Sequence, residues 1–137
     1  MANTNDNEAT LQWSASGSKS LNSTSRFDSD FQAVHADAVA ASLLVTCDNS
    51  GTPASGDYVD IWIKWTPDAS TYETDEHAMY LGRIDTVAAN DPGEDPASRS
   101  YMLNVSGKQG FKLSAKANQG ATRAITISAI YNEHRMA

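Results

Sequence analysis

A single cysteine, Cys47, stands in the 137 residues, so no internal disulfide can staple this chain. Its place at an apolar-to-polar strand end, LLVTCDN, fits packing better than reactive chemistry. Long apolar runs are missing as well. The longest, Ala38 to Val45 (AVAASLLV), stops at Thr46, far short of the roughly 20 residues a membrane helix needs, so no membrane partner is expected. The opening MANTNDNEATLQW lacks the basic start and apolar centre of a secretory signal, so cytoplasmic synthesis is expected. Basic residues are scarce: 10 Lys and Arg stand against 17 Asp and Glu, a net charge of −7. Phosphate neutralisation needs clustered cations, so this balance excludes nonspecific nucleic-acid binding.

The charge is unevenly spread. Residues 1–95 carry 4 basic and 16 acidic side chains, whereas residues 96–137 carry 6 and 1. Either strands from the two segments interleave and the asymmetry averages out in space, or the surface is two-signed and orients the protein against neighbours. At 40% hydrophobic and 20% charged residues the bulk of the chain should fold, and its length is that of one domain.

What is present is period two. The pattern predicts strands over 39–45 (Val39, Ala41, Leu43 and Val45 on one face), 58–66 (Val59, Ile61, Ile63, Trp65), 77–86 (both faces partly apolar, hence a central strand), 99–105 (Tyr101, Leu103, Val105), 110–117 (Phe111, Leu113, Ala115, Ala117) and 123–131 (Ile125, Ile127, Ala129, Tyr131). The alanines leave a helix over 31–44 as an alternative. The Gly-bearing links SGKQG and ANQGAT suit hairpins. Two polar loops, 66–76 and 86–98, break the rhythm, and prolines 92 and 96 forbid a strand through the second. The expected fold is all-β: an antiparallel β-sandwich or jelly-roll-like body over 31–137, preceded by residues 1–30 as an extended N-terminal arm or a short strand. In that Asn-, Ser- and Thr-rich segment Leu11, Trp13, Phe27 and Phe31 are spaced as isolated anchors for a partner's pockets; the alternative is that LQW pairs into the sandwich. Trp62 falls on the polar side of its strand, where a large aromatic covers a loop or meets a partner.

Catalytic and metal-ligating patterns are lacking. Asp75, Glu76 and His77 are adjacent, but neighbouring strand residues point to opposite faces, so a solvated loop end is expected. His35, His77 and His134 do not have zinc-ligand spacing. Asp91, Glu94 and Asp95 do not match a calcium loop and fit a plain acidic turn. Asn22 and Asn104 begin N-x-S/T triplets, which count only in an exported chain. No nucleophile elbow, phosphate loop or paired-cysteine motif occurs. No enzyme activity and no cofactor are therefore expected.

The segments GDYVDIWIKWTPDASTYETDEHAMYLGRIDT (56–86), RSYMLNVSG (99–107) and FKLSAKANQGATRAITISAIYNEHR (111–135) resemble the head decoration, or cement, proteins of tailed bacteriophages. The resemblance covers roughly the last 80 residues as an arrangement of strands and loops. It implies a virion protein on the outer capsid surface, frequently trimeric, whose partners are the major capsid protein and copies of itself. Two alternatives stand beside it: another phage structural protein of tail or neck, and a carbohydrate-binding β-sandwich whose Tyr58, Trp62 or Tyr72 stacks on sugar rings.

Overall fold

The computed structural model describes residues 3–13, 17–21, 25–49, 56–86, 96–119 and 124–136. Their regular structure is strand throughout: β1 (Asn3–Thr10), β2 (Ser18–Leu21), β3 (Phe27–Asp28), β4 (Gln32–Ala33), β5 (Ala38–Asn49), β6 (Tyr58–Thr66), β7 (Met79–Asp85), β8 (Ala97–Asn104), β9 (Gly110–Asn118) and β10 (Ile125–Met136). One sheet has the order β1-β10-β5-β8, with β2 also on β10; the other has β3-β9-β6-β7, with β4 also on β9. All pairings are antiparallel. β1 and β2 follow one another along the same edge of β10, and β3 and β4 along the same edge of β9. Counted as one interrupted strand each, they leave eight strands in two four-stranded layers, with the chain switching layers as in a jelly roll. The β-sandwich expected from the alternation is the fold observed.

The alternating apolar residues meet between the layers. Ala41, Leu43, Val45, Cys47, Ile125, Ile127, Ala129 and Tyr131 from the first sheet face Val59, Ile61, Ile63, Phe111, Leu113, Ala115 and Ala117 from the second, all buried. Burial at ~25 cal/mol per Å² makes this layer the main source of stability. Aromatic edges run through it: Trp65 meets Phe111 at 5.6 Å, and Phe111 meets Tyr131 at 5.3 Å, both edge-on.

Several expectations are corrected. Leu11 and Trp13 are each 1% exposed and Leu21 is fully buried, so the sandwich takes in this segment and the arm gives way to the strand alternative. The physical reason is that β10 has a free edge and the core a gap that these side chains fill. Residues 38–49 are a strand, because pairing with β10 and β8 on both sides satisfies a backbone that a helix would have satisfied alone. Val39 departs from its expected face: Arg135 pairs with Ala38 and His134 with Ala40, so Val39 is bulged out and 37% exposed. β7 is an edge strand rather than a central one, and only Ile84 of its side chains is buried. There Gly82 lies against Tyr101 of the opposite sheet, and a Cβ at 82 would come 3.1 Å from the phenol oxygen. The links after β8 and β9 are not hairpins. Each carries the chain to the other sheet, since both flanking strands contribute inward faces to opposite layers.

Candidate functional site

The two outer faces of the sandwich have opposite chemistry. On the first sheet the outward residues pair in three rows, Ser98–Thr46–Ser128, Ser100–Leu44–Ile130 and Met102–Ser42–Asn132. None of the nine is charged. Thr46 and Ser98 share a 2.8 Å hydroxyl hydrogen bond, and Ser42 Oγ donates to Met102 Sδ at 3.8 Å. Between these small polar groups stand Met102, 69% exposed, with Leu44 and Ile130 each at 41%.

On the second sheet the outward residues of β6 are Tyr58, Asp60, Trp62 and Lys64, flanked by Arg83 and Tyr80 of β7 and by Lys112, Ser114, Lys116 and Asn118 of β9. Leu81 is bulged, which is what brings both Arg83 and Tyr80 to this face. Arg83 donates to both oxygens of Asp60, at 2.9 and 3.0 Å, and Tyr80 donates to Asp60 at 2.7 Å. Burial alone would raise the Asp60 carboxyl; these hydrogen bonds outweigh it and hold the group below the ordinary carboxylate range. Arg83 also stacks on Tyr58 at 3.6 Å, and Arg26 on Trp62 at 4.0 Å.

Lys64 is 7% exposed, held by Asp28 Oδ2 at 3.0 Å and by Asp75. Desolvation would lower its ammonium, but the hydrogen bonds to Asp75 and Asp28 raise it instead. Arg26 lies 3.8 Å from Asp75 and donates to Ser114 at 3.2 Å. Those ion pairs lie within residues 1–95, but two contacts cross the chain: Asp60 pairs in register with Lys116, and Arg135 meets Asp37 at 2.6 Å, so acidic residues of the first part interleave with basic residues of the last. This is the interleaving alternative.

No protein-family model and no curated protein matches this chain. Among solved structures it is similar to the functional form of the mosquito-larvicidal Cry4Aa toxin from Bacillus thuringiensis, at 9% identity and a TM-score of 0.45, over 95% of this chain and 21% of the toxin. It is also similar to the structure of infectious bursal disease virus Gt strain, at 10% identity and a TM-score of 0.37, over 98% of this chain and 38% of the viral chain. The chain therefore spans well under two thirds of both.

The structure scatters the residues singled out in the sequence. Leu11 and Trp13 are in the protein's own core, so neither is an anchor offered to a partner. Phe27 is partly buried under Lys19, 5.0 Å from its ring, and packs on the core. Phe31 is 38% exposed and lies over Gly110, where a side chain would find no room. Trp62 is half-buried between Arg26 and Tyr80, 5.6 Å away. The ring of Tyr72 is capped by Lys112 at 4.2 Å.

His77 is exposed and shares a 3.0 Å hydrogen bond with Thr74, and Asn104 accepts from the Ser106 amide at 3.2 Å. Asn22, Asp91, Glu94 and Asp95 lie outside the described residues. Within the described residues no three His, Cys, Asp or Glu side chains stand close enough to hold a metal ion. Burial pushes the Cys47 thiol up to about 12, in keeping with a packing role.

Three buried polar groups were not visible in the sequence. Glu133, 1% exposed, accepts from Tyr131 Oη at 2.9 Å and from the His35 backbone amide at 3.0 Å. Asp57, 4% exposed, accepts from Asn49 Nδ2 at 2.9 Å while its carbonyl accepts from the Thr86 amide at 3.1 Å, joining β5, β6 and the end of β7. Lys64 is the third. Each has a partner from a distant segment, His35 for Glu133, Thr86 for Asp57 and Asp28 for Lys64, so no local motif announces them.

Proposed function

We propose that this chain is a non-enzymatic structural protein of a tailed-phage virion, a decoration or cement protein that attaches to the outer capsid surface. The observation that carries this reading is the nine-residue uncharged patch that β8, β5 and β10 form on the outer face of the first sheet, bounded by Asp48 in the next row. Met102, Leu44 and Ile130 supply apolar contact there, and a partner that covers them has no charge to desolvate. At ~4.8 Å between strands and ~3.4 Å per residue, the three rows over three strands amount to about 250 Å². That is about a third of the ~800 Å² each partner gives to a standard interface, the share of an apolar centre that a polar rim surrounds. The resemblance of residues 56–86, 99–107 and 111–135 to head decoration proteins supplies the partner, a major capsid protein, and a homotrimeric arrangement. The jelly roll, a fold recurrent in viral capsid domains, is compatible with both.

Cosedimentation with shells assembled from the major capsid protein tests the reading. The native protein should pellet with shells, and the Leu44→Asp/Met102→Asp variant should stay in the supernatant while keeping its β-type circular dichroism. Failure of the native protein to pellet, or equal pelleting of the variant, would overturn it.

A further inference from the structure

The outer face of the second sheet, which the proposed attachment does not use, carries a cavity of about 290 Å³ lined by Tyr58, Asp60 and Trp62 of β6 and by Lys116, Ala117 and Asn118 of β9. The geometry points to a binding subsite for a single pyranose ring of a glycan.

Two aromatic rings stand at the ends of the cavity, four positions apart on one strand face and about 14 Å along the strand, with Asp60 between them, so an occupant packs on one ring or the other. Both are fixed before any ligand arrives, since Arg83 stacks on Tyr58 at 3.6 Å and Arg26 on Trp62 at 4.0 Å. A wall already immobilised loses little rotamer freedom on binding.

The polar groups complete the match. Lys116 is exposed, and its ammonium has no hydrogen-bond or ion-pair partner among the described residues, so three donors are free. Asn118 spends its amide nitrogen on the Gly56 carbonyl at 2.9 Å, which leaves its own carbonyl oxygen open. Asp60 Oδ2 accepts only from Arg83, at 3.0 Å, so a second lone pair remains. Donors and acceptors side by side, next to an aromatic ring, are what a sugar requires: its hydroxyls give and take hydrogen bonds while its C–H face packs on the ring face opposite the guanidinium. A bare anion is disfavoured by the Asp60 carboxylate, and a purely apolar ligand would strand Lys116 and Asp60 without water. The volume lies at the lower end of the range for small-molecule sites, which limits the occupant to one ring.

The test is a ¹⁵N-labelled protein titrated with the methyl pyranosides of glucose, galactose and mannose at millimolar concentrations. At least one should shift the backbone amides of residues 58–62 and 116–118 selectively. Binding should weaken about tenfold or more in Lys116→Ala, which removes a charged hydrogen-bond donor from an exposed position and leaves the fold intact. Tyr58→Ala should abolish it. The absence of shifts with all three sugars, shifts elsewhere on the surface, or binding unchanged in Lys116→Ala would each overturn the proposal.

Discussion

The half-exposed imidazole of His35 stands 2.7 Å from the carboxylate of Glu133, which is itself 1% exposed. The same carboxylate accepts from the His35 backbone amide and from Tyr131 Oη, so one buried anion ties the segment before β5 to β10. Burial, and then the Glu133 hydrogen bond, push the Tyr131 phenol well above its ordinary range, so it stays a donor. Glu133→Ala strips three donors of an acceptor at once. It should cost about 3 kcal/mol and lower the melting temperature by roughly 10 °C. A thermal melt that moves by less than a degree would show that the carboxylate contributes nothing net.

The carboxylates of the second sheet predict an acid limb. Asp60 is held below the ordinary range as described above. Asp75 is held low by its hydrogen bond from Lys64, against desolvation, with the charges of Lys64 and Arg26 assisting. Depressed folded-state values mean that their stabilisation is complete above the unfolded carboxylate range and disappears as pH falls through the folded values, so melting temperature should decline below about pH 4. Lys64, raised by its two partners, acts at the other end. Its contribution persists up to about pH 10 and is lost above that. Asp60→Asn should flatten the acid limb; an unchanged limb would assign it to other groups.

Trp13 decides between an arm and a strand. Trp13→Ala should cost about 3–5 kcal/mol in urea denaturation, as for any large core side chain. Trp13→Phe keeps a ring in the core and removes an indole N–H that has no hydrogen-bond partner among the described residues. It should cost less than about 1.5 kcal/mol. Equal stability of Trp13→Ala and the native protein would restore the arm.

Much of the fold could be read from the sequence because its strands alternate cleanly: Val59, Ile61 and Ile63, or Ile125, Ile127 and Ala129, announce both a strand and its inward face. What could not be read depends on pairing between distant segments. Period two at 77–86 does not reveal that β7 has a neighbour on one side only, nor does it foretell the bulges at Leu81 and Val39. SGKQG and a true hairpin link look alike because the turn chemistry is the same whether the next strand returns beside its predecessor or crosses to the other layer. The uncharged outer face was present in the sequence as Ser42, Leu44, Ser98, Ser100, Met102 and Ile130. Only the registers of β8, β5 and β10 bring them together. Leu11 and Trp13 misled because an isolated apolar residue in a polar stretch looks the same whether its pocket lies in a partner or in its own chain.

β10 takes β5 on one edge and β1 and β2 on the other, so Asn3 pairs with Met136 across nearly the whole chain. Ring closures this long are slow to form, on a scale of milliseconds to seconds for all-β proteins. Until residues 125–136 have been made and inserted, β5 has a bare edge and Trp13 lacks part of its cover. All three rows of the uncharged face also lack their β10 member, Ser128, Ile130 or Asn132. A newly made chain that stalls before closure therefore displays sticky edges but not the flat surface. Completion of the fold and of the uncharged patch arrive in the same step.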